Sequence, residues 1–309
     1  MSYHIVSIDE TDCIITASRE QLVLKSGEKS KRIPLEDVAA IVVTSFKCVF
    51  SNQFLISAAQ RRIGLVICCM FKPVAVLLPV DRVTDTAIIR NLANLSSQSK
   101  KRLWSKTLDA KCYNQYVLAG TWNSSSLFLE QMLRLASSDK DTREAETARM
   151  YWTVFSETWC EGAFVRDKSG EGVNALLNYA YAILLSLVLR YLLALGIDPT
   201  FGIFHQSRAH STPLAYDLME PFRVVFDAAV VRWIQQQEAL TVPAKGFSVT
   251  TEYRRYIGKV LESPLLYRGK EISLRGVIEA VIRSFRKAVE LNQVGPYEPW
   301  KISTTKWDG

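Results

Sequence analysis

An α+β fold is expected for this 309-residue chain, with a small β-rich N-terminal domain followed by a larger all-α C-terminal domain. Short β-branched runs recur over residues 1–80 with turn chemistry between them. From about residue 84 the apolar residues recur at helical spacing instead. Hydrophobic residues make up 48 % of the chain, enough for a sizeable core.

The strand-like runs, in order, are IVSI, CIITA, QLVLKS, AAIVVTS, GLVICCM and PVAVLLP. DETD at 9–12, SGEKS at 26–30 and PLED at 34–37 supply turns between them. SNQFLISAAQRR at 51–62 interrupts the series as a helix, capped by Ser51 and turning Phe54, Leu55, Ala58 and Ala59 to one side. The β-rich domain is placed at 1–83 and a hinge at 84–100, where the polar run NLSSQSKKR begins. Helices are expected over roughly 101–120, 126–136, 141–160, 171–195, 213–239, 249–262 and 272–292. They fill a domain at 101–309 whose Pro/Gly-punctuated tail is irregular from about 293.

The six cysteines form no CxxC pair, so neither a zinc framework nor a secreted disulfide scaffold is indicated, and buried cytosolic thiols are expected. The opening MSYHIVSIDETD has no basic region followed by an apolar one, which points to a cytoplasmic location. Residues 174–198 are apolar for long enough to cross a bilayer, but Arg190, Asn178 and Ser186 lie inside the run. A central arginine is costly in lipid, so a buried core helix and no membrane contact are expected.

The formal net charge is +7. Ten basic residues against four acidic ones fall within 245–287, among them Arg254, Arg255, Lys259, Arg283, Arg286 and Lys287, with Tyr253, Tyr256, Tyr267 and Phe285 interleaved. Such a stretch reads either as a solvated helix face or as a surface that tracks phosphates.

The chemistry concentrates in two places. In DTREAETARMYWTVFSETWC at 141–160, which Asp139 or Asp141 can cap, the apolar stripe Ala148, Tyr151, Phe155, Trp159 runs back onto Glu144. That carboxylate therefore points inward, toward a buried arginine partner or a ligand. In FGIFHQSRAHSTPLAYDLMEPFR at 201–223, two of the three histidines and the acids Asp217 and Glu220 sit among core residues. Pro213 starts a helix there and Pro221 must break it, since proline has no N–H for the preceding turn. His205 reads either as a satisfied core histidine or, with two inward carboxylates, as part of a hard, oxygen-rich metal site. Such a site suits Mg²⁺ or Mn²⁺, the nitrogen ligand favouring Mn²⁺.

NALLNYAYAIL at 174–184, GIFH at 202–205, LAYDLMEPFR at 214–223 and REAETARMYW at 143–152 resemble the spacer-acquisition integrase CRISPR-associated protein one, most closely its type II branch. IPLEDVAAIVVTS and LISAAQRRIGLVICC are similar to that family's β domain. The resemblance implies that Glu144, His205 and Glu220 are the catalytic metal ligands, with Asp217 supporting and His210 in a variable loop. It implies a metal-dependent DNA endonuclease or integrase that joins the 3′-hydroxyl of a captured fragment to a CRISPR repeat by transesterification. Arg223 is then a phosphate contact. The implied partners are double-stranded DNA, a second copy of the chain through the β domain, CRISPR-associated protein two and the type II effector nuclease. The alternative reading is a DNA-binding assembly subunit with an inactive site. Two departures from the type II pattern are Phe204, where a histidine often stands, and Val224, where a proline often follows the arginine.

Overall fold

The computed structural model describes residues 4–9, 12–69, 72–77, 79, 86–137, 142–168, 170–206, 212–237 and 246–303. The N-terminal part runs β1 (His4–Ile8), β2 (Cys13–Ser18), β3 (Gln21–Ser26), β4 (Lys29–Pro34), β5 (Val38–Val43), β6 (Cys48–Phe50), α1 (Asn52–Gln60), β7 (Gly64–Cys69) and β8 (Lys72–Leu77). The helical part follows with α2 (Thr86–Ala93), α3 (Ser97–Trp122), α4 (Ser126–Ala136), α5 (Arg143–Trp159) and α6 (Val173–Ala194). It continues through α7 (Pro213–Met219), a 3-10 turn (Glu220–Phe222), α8 (Arg223–Gln236) and α9 (Thr251–Val260), then β9 (Pro264–Tyr267), β10 (Lys270–Ser273) and α10 (Leu274–Glu290).

The N-terminal strands form two four-stranded sheets, ordered β1-β5-β7-β8 and β4-β3-β2-β6. The first is parallel except for β8, which returns antiparallel on β7. β5 reads VAAIVV because both of its faces are buried. Ile41 and Val43 join a core shared with β2, β3 and α1, whereas Val42, pointing the other way, joins the core of the helical part. As expected, the Ser51 hydroxyl accepts the Phe54 N–H, at 3.2 Å, and starts α1.

The expected α+β order holds, with local departures. β4, KSKRIP, was not among the expected runs because Ile33 is its one large apolar residue; it is an edge strand, where mostly solvated side chains suffice. Within the expected hinge, Thr86–Ala93 is helical, burying Ile88 and Leu92 and donating from Asn91 Nδ2 to Val289 O at 3.3 Å. The part expected to be all helical also contains the hairpin β9–β10. Arg268 and Gly269, at φ 50° and 73°, form its two-residue left-handed turn. Among the thiols, Cys13, Cys68, Cys112 and Cys160 are buried, but Cys48 is partly and Cys69 largely exposed; all are free.

α6 is long and apolar enough to cross a membrane, but 89 % of its most apolar window is buried within the protein. It packs against β5, β7 and β8 on one side and α7, α8 and α10 on others. It therefore reads as a core helix. The tail is irregular, as expected, yet firmly packed. Tyr297 and Trp300 are fully buried, and Trp300 stacks on Phe222 at 5.8 Å. Asn114 on α3 donates to the carbonyls of Pro221 and Trp300 at 2.8 and 3.1 Å and accepts the Ile302 N–H at 2.8 Å. Lys106 closes the same segment by donating to the carbonyls of Val294, Gly295 and Tyr297.

Trp300→Ala should accordingly cost about 3–5 kcal/mol, the usual range for emptying a buried aromatic site. Urea unfolding reads the cost as a lowered midpoint at unchanged slope. A midpoint equal to wild type would show that the tail contributes no packing.

Candidate metal centre

Three elements bring the acids together. Pro221 denies Asp217 its helical hydrogen bond, so α7 stops at Met219, one 3-10 turn intervenes, and α8 restarts at Arg223. That break holds Glu220 at the start of the turn, buried, with the Pro221 carbonyl fixed by Asn114. Glu144 lies in the first turn of α5, where a carboxylate favours the positive end of the helix dipole. Arg143 beside it pairs with Asp109 on α3 at 2.7 Å and fixes the approach of α5 to α3.

Lys111 on α3 stands between them. Its ammonium lies 2.6 Å from Glu144 Oε1 and 2.9 Å from Glu220 Oε2. Those two carboxylate oxygens are therefore no more than 5.5 Å apart. Arg223 Nη1 approaches the other oxygen of Glu220 at 3.3 Å. Burial alone would raise the pKa of Glu220; the Arg223 guanidinium and then the Lys111 ammonium, helped by His205, override it and hold the carboxyl at about 2. Burial likewise opposes the charge on Lys111, but Glu220 and Glu144 together raise its pKa above the ordinary value.

His205 is positioned by Asp217, which is fully buried on α7. One oxygen of Asp217 accepts the N–H groups of Ile203 and Phe204 at 2.7 and 3.1 Å; the other accepts the His205 N–H at 3.1 Å and meets His205 Nδ1 at 2.6 Å. An ionised carboxylate can only accept, so Nδ1 is the donor in that hydrogen bond and the ring is held in one orientation. Gly202 is required by the tightness of this loop, because a Cβ there would lie 2.3 Å from the His205 carbonyl oxygen. Asp217 is thus a positioning group for the imidazole.

Behind Arg223 lies a second buried acid. The Arg223 guanidinium sits over the Tyr181 ring at 4.8 Å. The Tyr181 hydroxyl donates to Asp227 at 2.5 Å, and the Tyr151 hydroxyl to its other oxygen at 2.8 Å. Burial pushes the Asp227 carboxyl up to about 6, against the opposing pull of those two hydroxyls. Arg166 also lies over Tyr181, at 5.4 Å, and donates to Asn174 and Asn178, the two asparagines of NALLNY.

Glu144 and Glu220 thus meet around one cation, with His205 close enough for its charge to act on Glu220. Arg223 already faces Glu220 and Tyr181. Arg254 is also turned inward, paired with Asp9 at the end of β1 and lying 6.0 Å from Tyr179. Arg255, Lys259, Arg283 and Lys287 are exposed on α9 and α10, and Arg286 pairs with Glu290 at 3.0 Å. Asp139, Asp141, His210 and Lys245 lie outside the described residues. Sequence reasoning missed Lys111 and Asp227. An acid inside the apolar run VVFDAAVV was a signal for Asp227; a lysine on a long polar helix gave none for Lys111.

Among the described residues, no three His, Cys, Asp or Glu side chains converge tightly enough to cage an ion as they stand. The donor set nevertheless fits a hard cation. Two carboxylates this close, one buried and one half-buried, repel unless a positive charge lies between them. The Lys111 ammonium supplies that charge, bridging the acids as a divalent ion would. Among the described residues, the Lys111 ammonium at 2.9 Å is the group that faces Glu220 Oε2, so displacing it would leave that oxygen available as a ligand.

A family model described as CRISPR associated protein Cas1 matches residues 6–259. A CRISPR-associated endonuclease Cas1 from Neisseria meningitidis is 28 % identical over 282 residues, covering 89 % of this chain and 88 % of the relative. A casposase bound to integration product has the same fold at TM-score 0.73 and 18 % identity, over 99 % of this chain and 97 % of that one. A chain of a Cas6-RT-Cas1–Cas2 complex superposes at TM-score 0.79 and 16 % identity, over 97 % of this chain and 36 % of that longer one.

The electrostatics of Glu220 make a measurable demand on stability. Its carboxyl titrates near 2 when folded against 4.5 when free, so its ionisation favours folding. The contribution is full above pH 4.5 and is lost as pH falls from there through 2. Over that window wild type should lose about 3 kcal/mol more than Glu220→Gln, from the size of the shift. Urea unfolding at a series of pH values measures it; parallel profiles for the two proteins would remove the assignment.

Proposed function

This chain belongs to the Cas1 family of CRISPR-associated proteins, and from that premise we propose that it is a metal-dependent DNA integrase of spacer acquisition. It joins the 3′-hydroxyl ends of captured DNA to a CRISPR repeat by transesterification. The observation that carries this reading is the pair of carboxylates, half-buried Glu144 and buried Glu220, gathered around a cation beside an imidazole held by Asp217.

Glu144, Glu220 and Nε2 of His205 would hold Mg²⁺ or Mn²⁺. When bound, that ion supplies Lewis-acid polarisation of the scissile phosphate. The rest falls to the chain's own groups. Asp217 fixes the ring orientation of His205 through its hydrogen bond with Nδ1, which aims Nε2 away from it. Arg223 keeps Glu220 ionised, and Tyr181 with Asp227 keeps Arg223 in place. Lys111 must release at least one carboxylate for it to become a ligand, which puts a mobile cation beside an anionic substrate. Exposed Arg255, Lys259, Arg283 and Lys287 offer phosphate contacts on α9 and α10. One phosphodiester replaces another, so no nucleotide triphosphate is consumed.

The assembly belongs to the same proposal. The chain acts in the cytoplasm as a homodimer, with Cas2 as partner and the type II effector nuclease assisting fragment choice. The similarity to a chain from a Cas1–Cas2 complex supports the Cas2 partnership.

Glu144→Ala, His205→Ala and Glu220→Ala should each lower Mn²⁺-dependent joining of a short duplex to a repeat-bearing plasmid by about 10²-fold or more, the scale of losing one transition-state electrostatic contact. Circular dichroism checks that each variant is folded. Full activity in all three would overturn the site. Salt-sensitive duplex binding by wild type with no joining under any divalent ion would instead support an assembly subunit with an inactive centre.

A further inference from the structure

Phe204, next to His205 in the chain, is 53 % exposed. Its ring is not loose. It lies flat on buried Trp104, with centroids 4.2 Å apart and planes 3° from parallel. The His205 ring stands edge-on to it at 5.4 Å and to Trp104 at 6.0 Å. The backbone beneath is pinned, because the Phe204 N–H donates to Asp217 at 3.1 Å. One face of the phenyl is therefore covered by tryptophan and the residue still shows much of its surface to water. Exposing apolar area in this way costs folding energy and contributes little to the core.

The surroundings are complementary to nucleic acid. Lys100 and Lys101 lie on α3 one turn before Trp104, Lys100 partly exposed and Lys101 exposed, whereas Trp104 and Lys111 are buried. Phosphates held by these two lysines would bring a strand end to the loop at Phe204, with its last base over the phenyl ring. A paired base has its plane fixed by the duplex. An unpaired one can turn about its backbone to meet a ring whose plane is set by Trp104.

We propose that Phe204, backed by Trp104, is a stacking platform for the unpaired terminal base of the DNA strand whose 3′-hydroxyl enters the centre. The inference rests on the functional reading above and deepens it by assigning Phe204 and Trp104 to the strand end. Stacking on an aromatic ring is sequence-tolerant, because every base has a π face.

The test uses the full chain, EDTA to prevent reaction, and a duplex with a 3′ overhang ending in the fluorescent base 2-aminopurine. Wild type should quench the probe on binding, and Phe204→Tyr should keep the quenching. Phe204→Leu, which retains apolar bulk without a stacking face, and Phe204→Ala should both lose it. Those two should bind the overhang about 5- to 150-fold more weakly, the range of one lost base stack, while binding to blunt duplex is unchanged. In the joining assay their loss should appear in KM with kcat held. Equal quenching by wild type and Phe204→Ala would overturn the platform, as would a probe that stays bright on bound wild type. Failure of wild type to bind any duplex would overturn the integrase reading along with it; joining by wild type with a bright probe would sink the platform alone.

Discussion

The interior of the helical part depends on one constraint: a buried carboxylate, Glu220, beside a half-buried one, Glu144, requires a positive charge between them. Glu144 and Glu220 approach within the reach of a single ammonium, and the ammonium itself is taken out of water on α3. Each of these groups would be costly to bury alone. Together they neutralise one another, and the pattern continues outward. Arg223 balances the far oxygen of Glu220, Tyr181 carries the cation of Arg223 on its ring, and Asp227 receives the Tyr181 hydroxyl. The centre is therefore the inner end of a buried polar chain rather than an isolated cluster. Removing any member leaves a neighbour with uncompensated charge.

Such a chain needs a rigid frame, and the frame explains the rest of the fold. α3 carries Lys111, Asn114 and Trp104 to the acid pair, to the turn at Pro221 and to the loop at Phe204 respectively. The C-terminal segment closes over that turn through Trp300 and Phe222. The N-terminal sheets contribute through α6, which is packed against the reverse face of β5 and β7. An all-apolar strand such as β5 is thus a sign that two cores share it, and that the two parts of the chain bury a common boundary.

Much of this was legible in the sequence because it is periodic or local. The stripe through Tyr151 and Phe155 singled out Glu144, Pro221 announced the break that holds Glu220, and Ser51 and Pro213 marked helix starts. What stayed hidden depends on long-range pairing. Lys111 reads as a surface lysine until α5 and the 3-10 turn are packed on α3. Arg254 counts toward a basic face until its partner Asp9, far away in the chain, is known. β4 has no apolar alternation because an edge strand facing water does not need one. The hairpin β9–β10 is too short for its alternation to register, and of its two turn residues only Gly269 suits a positive φ, Arg268 being an unusual choice there.

Phe204 joins these two lines of argument. A histidine beside His205 would add another titratable, hydrated group to a centre already crowded with charge, whereas a phenyl ring adds none. Its neighbours divide accordingly: Asp217 fixes the backbone and the imidazole from the buried side, and Trp104 fixes the ring from below. The electrostatic problem is thereby settled on the inner face of the loop, which frees the outer face for shape. A site organised in this way separates holding an ion from holding a strand, so the two can be altered independently by changes one residue apart.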